Sequence, residues 1–173
     1  MKVRYIYNDI NSVNQIYSSM NRRDKIYLNG AETDRVNDSY LYSPRGDFAT
    51  KYIKEDDFGF MVTMLLDNKP VAFFECKRDW DESEEDYTTK SEISFAVHPK
   101  FRHRGIASMI IKHGMIIIKR DSKYRQIEWA ANADNKASNI LAQKFGFKFI
   151  KETISPQDNK TKVNIYMYDK DRK

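Results

Sequence analysis

Val97-His98-Pro99-Lys100-Phe101-Arg102-His103-Arg104-Gly105-Ile106-Ala107 decides how this chain is read. It stands between residues 91–98, which read as a strand, and residues 106–120, nearly continuous in apolar side chains, which read as a buried helix. Pro99 stops the strand because it has no amide proton to give to a ladder. The first N–H groups of a helix have no partners within it, and the helix dipole adds positive charge at the same end. A turn that enters a helix here is therefore an anion cradle. Gly105 removes the side chain that would block close approach and permits backbone angles closed to other residues, and small Ala107 lets a ligand lie near the helix start. Arg102 and Arg104 flank the cradle, with guanidinium groups that either screen a diphosphate or extend into solvent. His103 lies in the same loop, where the alternatives are ligand contact and plain exposure.

Outward from this segment the hydrophobic period changes repeatedly. Residues 2–8 alternate as a strand, and Asn11 or Ser12 is positioned to cap a helix through Val13, Ile16, Tyr17 and Met20. The stretch to about Asp57 has no period of its own; Tyr40, Tyr42, Pro44 and Arg45 suggest helix pieces and loops. Residues 58–66 and 71–77 read as a hairpin about the turn Asp67-Asn68-Lys69-Pro70. An acidic loop, 79–86, precedes the strand at 91–98. After the apolar helix come a strand at 126–131, a helix at 137–145 ended by Gly146, and strands at 147–153 and 163–168. This order predicts one α+β domain over residues 1–173, a mixed central sheet of about seven strands flanked by about four helices.

The 173 residues suit one domain, and 40% hydrophobic with 32% charged residues is a globular balance. No apolar stretch is long enough to span a bilayer and the N-terminus alternates like a strand, so a cytoplasmic protein without membrane contact is expected. The net charge of +5 favours anionic ligands, but acidic and basic residues are interleaved, which suits a local phosphate site better than a nucleic-acid surface. Cys76, the single cysteine, sits in an apolar run and reads as a small buried residue. His98, His103 and His113 have no metal-ligand spacing, so no metal is expected.

With these residues in place, the chain resembles the GCN5-related N-acetyltransferase (GNAT) family. The coenzyme A loop of that family follows an Arg/Gln-x-x-Gly-x-Gly/Ala pattern, matched by Arg102, Gly105 and Ala107. Val97 and Pro99 match the Val-x-Pro that precedes it, and Asn135, Ser138, Gly146 and Phe147 match the later Asn-x-x-Ser/Ala and Gly-Phe signals. The resemblance implies two parallel strands, ending near Val97 and Ala131, that splay so that the pantetheine of acetyl-coenzyme A lies between them. It further implies that Phe95 and Val97 pair with the pantetheine amides, that Arg102, His103, Arg104, Gly105, Ile106 and Ala107 hold the diphosphate, and that Asn135 and Ser138 contact the arm.

The activity implied is transfer of acetyl to a primary amine of a small molecule or peptide. Many relatives carry a tyrosine acid in the last helix and some a glutamate on the strand before Asn135; the matching positions here are Ala142 and Ala130. Glu92 is the expected catalytic base, with Glu75 and Glu128 as alternatives, and Ser138, Tyr166 and Tyr168 are the polar side chains nearest an expected thiolate. The acidic run 79–86 either attracts a cationic acceptor or is a solvated hairpin tip, while Tyr40, Tyr42 and Arg45 either line the other wall or pack. Two other functions fit the same residues: a sensor or interaction module that binds acetyl-coenzyme A without turnover, and an acetyltransferase acting on aminoacylated tRNA, which the basic segment 119–125 motivates and the acidic run opposes. A monomer or a homodimer is expected.

Overall fold

The computed structural model of the protein describes residues 2–29 and 57–171. These form β1 (Val3–Tyr7), α1 (Ile10–Ser18), α2 (Arg22–Asn29), β2 (Gly59–Leu66), β3 (Lys69–Asp81), β4 (Asp86–Val97), α3 (Ile106–Arg120), β5 (Gln126–Asn132), α4 (Lys136–Lys144), β6 (Lys148–Ile154) and β7 (Lys162–Asp169), with a 3-10 turn at Pro99–Phe101. The strands make one sheet in the order β1-β2-β3-β4-β5-β7-β6. The α+β reading with seven strands and four helices holds, while Tyr40, Tyr42 and Arg45 lie outside the described residues.

Helix α3 is the main prop of the sheet. Ile106, Ile110, Ile111, Met115 and Ile118 turn one stripe toward Phe74, Cys76, Ile93, Ile127 and Trp129. Each such aliphatic side chain contributes roughly 1.5–3 kcal/mol by leaving water. Gly114 lets the helix touch the sheet: a Cβ there would stand 2.4 Å from the Phe74 ring. Met109 and Ile116 are exposed, so α3 is buried on one side and not all round. On the opposite face α1 packs Ile10, Val13, Ile16 and Tyr17 against Met61 and Phe73. Asp9 precedes its first turn in place of Asn11 or Ser12, and the Ser12 hydroxyl donates to the Asp9 carboxylate at 2.6 Å.

The acidic run is not a loop. Residues 78–81 continue β3 and 86–90 begin β4, with Trp80 paired to Tyr87 and Asp81 to Asp86, leaving only a short turn between them. Charges lower strand propensity but do not forbid strands at a solvated edge; here Arg78 donates to the Thr88 and Tyr87 carbonyls at 2.9 and 2.6 Å, and the Trp80 and Tyr87 rings meet edge to face at 4.9 Å. Asp81 folds the turn by accepting from the Ser83 amide and hydroxyl, which also lowers its carboxyl pKa. The β2–β3 turn is likewise tighter than expected: Asp67 and Asn68 both have positive φ, as a two-residue hairpin requires, and Pro70 stands inside β3 opposite Leu65, where the register shifts.

The pairing of β4 with β5 positions the site. It is the parallel contact of the sheet, and it runs only through Lys90–Gln126, Ser91–Ile127 and Glu92–Glu128. Beyond Glu92 both strands continue, β4 to Val97 and β5 to Asn132, without pairing to each other. A slot opens between them. Among the described residues no helix is long and apolar enough to cross a membrane.

Candidate active site

The slot widens into a cavity of about 480 Å³, within the size range of small-molecule sites. One wall is β4 from Ile93 to Val97, and another is Trp129 and Ala130 of β5 with Asn135, Ala137, Ser138 and Leu141 around α4. Its mouth is the turn between β4 and α3, where Arg102, His103, Gly105, Ile106, Ala107 and Ser108 line the opening. Met20 and, from α2, Asp24, Tyr27 and Leu28 form the outer wall.

The mouth has the expected shape. His103 and Gly105 both take left-handed angles (φ 59 and 75), which curl the turn, and Gly105 immediately precedes the first turn of α3. A Cβ on Gly105 would meet no atom within 4 Å, so the space before it is open to the cavity. His98 orients the preceding 3-10 turn through its Nδ1, which accepts the Lys100 amide at 3.2 Å. Burial, with Lys100 and Arg102 nearby, lowers the His98 pKa and keeps that nitrogen free to accept.

Phe95, Val97, Arg102, His103, Gly105, Ile106, Ala107, Asn135 and Ser138 are brought together as lining, and Arg104 and Glu92 are not. Arg104 lies over the Phe101 ring, 5.8 Å from its centroid. Arg102 is already engaged: its Nε donates to the Val97 carbonyl at 3.3 Å and a terminal nitrogen donates to Asp24 Oδ1 at 3.0 Å, with the other terminal nitrogen 2.9 Å from Oδ2. Asn135 caps α4, accepting the Ser138 amide at 3.3 Å, and the Ser138 hydroxyl accepts the Trp129 indole N–H at 3.0 Å. Trp129, edge-on to Phe95 and Phe147 and almost fully buried, thus becomes a fixed wall.

Glu92 is bound to Lys77 at 2.9 Å, on the sheet face away from α3. Burial would lower the Lys77 pKa, but Glu92, Glu75 and Asp79 more than offset it and the pKa is raised. Lys90 lies 3.4 Å from Asp79 and 3.3 Å from Glu128, so this face carries a row of alternating charges. Tyr166 does not face the slot; its hydroxyl donates to Asn139, which also accepts from Asn164 and donates to the Asn132 and Asn135 carbonyls. Tyr168 packs on Phe147 beneath Lys119. Ala142 is buried, and Ala130 lines the cavity without a polar group to offer. Cys76 is fully buried, and burial pushes its thiol far above the ordinary range. Among the described residues no cluster of His, Cys, Asp and Glu could hold a metal ion.

The α2 wall escaped the sequence reading, although one signal for it exists. Asn21 accepts the Asp24 amide at 2.9 Å, a side-chain cap readable as Asn-x-x-Asp before a helix.

Similar proteins share this architecture. The N-acetyltransferase from Staphylococcus aureus Mu50 superposes with a TM-score of 0.72 at 20% identity over 98% of this chain and 99% of that one. The putative acetyltransferase yncA from Salmonella typhimurium, solved with acetyl-CoA, gives 0.74 at 13% identity over 99% and 95%. The ribosomal-protein-S5-alanine acetyltransferase from Vibrio fischeri gives 0.71 at 11% identity over 98% and 92%. No curated protein matches the chain in sequence. The profile of the acetyltransferase (GNAT) family matches residues 20–147, which run from the α2 wall through the splayed strands to the end of α4, and the chain belongs to that family.

Proposed function

We propose that this protein transfers the acetyl group of acetyl-coenzyme A to a primary amine of a small molecule or peptide. The observation that carries the reading is the slot: β4 and β5 part after Glu92–Glu128, and the slot they leave leads to an open turn at Gly105, where the first amides of a helix have no partners within it. The diphosphate suits the amides from Gly105 to Ala107. The unpaired edge of β4 at Phe95 and Val97 offers main-chain groups to an extended amide-bearing arm, as a neighbouring strand would. Asn135 and Ser138 border the same path, although their side chains already serve α4 and Trp129. Arg102 acts as a clamp on the mouth and not as a free phosphate ligand, because Asp24 and Val97 hold its guanidinium.

In the reaction the amine nitrogen attacks the thioester carbon, the C–S bond breaks and coenzyme A leaves as thiol. A backbone N–H of β4 at the closed end of the slot is suited to stabilise the carbonyl oxygen as charge develops. Positioning supplies much of the acceleration, since a good leaving group and an aligned nucleophile need little else.

A thermal shift tests the ligand first, because binding to the native state alone raises the apparent melting temperature. Acetyl-coenzyme A should raise it, and adenosine nucleotides lacking pantetheine should raise it less. Equal shifts, or none, would overturn the slot assignment. Thiol release with a panel of amines then separates transfer from a binding-only module, which would release no thiol above background.

A further inference from the structure

We infer that Ser94 and Glu75 form the proton path of the reaction, an assignment that rests on the acetyl-transfer reading above. Ser94 stands just past the last β4–β5 pair, at the closed end of the slot, and lines the cavity. A ligand whose phosphates occupy the Gly105 turn, at the Val97 end of β4, brings the far end of its arm to this point. Ser94 is also opposite Glu75 in the β3–β4 ladder, and its hydroxyl donates to the Glu75 carboxylate. Glu75 is itself only 8% exposed, deep in the middle of β3. A carboxylate there costs desolvation that an apolar residue would avoid.

The direction of approach follows from the two faces. On the α3 side the sheet is covered by aliphatic side chains, which leave no path for a cation. On the other side Ser94 and Glu75 lie in a polar row with Lys77 and Asp79 of β3, Lys90 and Glu92 of β4 and Glu128 of β5, and the helices on that face add Tyr17 and Lys25. An ammonium acceptor arriving there meets the Ser94 oxygen. Its N–H bond breaks, the proton goes to Ser94 Oγ, and the Ser94 hydroxyl proton passes to Glu75, leaving a neutral amine and a carboxylic acid that later returns the proton to solvent. The second N–H proton, lost as the C–N bond forms, goes to the departing sulfur. Ser94 is the group that touches the substrate; Glu75 is a positioning residue that acts through it.

Two amine probes test this with the intact protein. Butylamine, which titrates near the lysine value of about 10.4, must lose a proton before attack, whereas hydroxylamine is already neutral at pH 7. Ser94→Ala and Glu75→Gln should lower kcat for butylamine by about 10²–10⁴-fold at pH 7, with the rate recovering as pH rises. Hydroxylamine turnover should fall far less, and Ser94→Thr, which keeps the hydroxyl, should restore butylamine turnover. An acetyl-coenzyme A thermal shift like that of wild type verifies each fold, and should Glu75→Gln fail to fold, Ser94→Ala decides the matter. Unchanged butylamine kinetics, or equal losses for both nucleophiles, would overturn the proton path alone. A wild-type protein that binds acetyl-coenzyme A but releases no thiol with either probe would overturn the transferase reading, and the path with it.

Discussion

Arg102, in the turn before α3, closes on Asp24 of α2 across the mouth of the slot, 78 residues away in sequence. The same guanidinium holds the Val97 carbonyl, so one side chain joins the end of β4, the turn before α3 and the outer wall. On the opposite lip Tyr27 donates to Asp134 at 3.2 Å and Arg23 donates to Tyr27 at 2.9 Å. Helix α2 thus straps both sides of the splay.

The strap makes Arg102 and Asp24 energetically coupled. Both side chains are partly shielded, so their attraction is screened less than at an open surface. A double-mutant cycle with Arg102→Gln and Asp24→Asn, read by urea denaturation, should give a coupling energy of about 0.5–3 kcal/mol. Arg102→Lys should behave like the loss, since an ammonium cannot serve a carboxylate and the Val97 carbonyl in one plane. Additive single-mutant effects would show that α2 is held by other contacts.

Substitution of Gly105 should separate ligand binding from folding. At φ 75 any other residue carries a strain of roughly 1–2 kcal/mol, yet no protein atom stands in the way of a Cβ. Gly105→Val should therefore lower the melting temperature of the free protein only modestly while abolishing the thermal shift given by acetyl-coenzyme A. A variant that keeps the full shift would place the phosphates elsewhere.

The parts legible in the sequence were those with local physical causes. Helix α3 announced itself by an apolar stripe, and Gly146 ends α4 at φ 85 as a left-handed stop. Helix α2 was hidden because Arg22, Arg23, Asp24 and Lys25 carry no apolar period, and its placement depends on partners such as Arg102 and Asp134 that lie far along the chain. The engagement of Arg102 was illegible for the same reason: an arginine beside the Gly105 turn looks like a phosphate ligand until its carboxylate is found. Likewise the Tyr166 hydroxyl is committed to Asn139, a partner no spacing rule would supply. Glu75 and Ser94 became a pair only through the β3–β4 register, which the misread length of both strands had obscured.

Gly114 should tolerate no side chain. Its α-carbon faces the fully buried Phe74 ring, and an added methyl must displace either the ring or the helix. Gly114→Ala gains helix propensity of about 1 kcal/mol, but overpacking a filled core costs typically about 1–3 kcal/mol. Net destabilisation in a denaturant titration is expected, larger for Gly114→Val, and relief by Phe74→Leu would show that the clash is the cause.

Acidification should loosen the protein before its carboxylates titrate. Burial lowers the pKa of His113, on the side of α3 that meets β1, where it is stacked on Tyr5 at 3.8 Å and joined to the Tyr7 hydroxyl at 2.9 Å. Burial and nearby Lys100 lower that of His98 as well. In both cases the folded state binds its proton less readily than the unfolded chain, whose histidines titrate near 6.5. Stability from these groups is therefore fully present above about pH 6.5, declines as pH falls through the lower folded values, and levels off beneath them. Melting temperatures taken between about pH 7 and pH 5, above the range where unfolded carboxylates near 4 begin to protonate, should fall with acid. His113→Gln and His98→Asn should each flatten part of that slope, His98→Asn while preserving an acceptor for the Lys100 amide. A slope that survives both substitutions would mean that other groups carry the acid sensitivity.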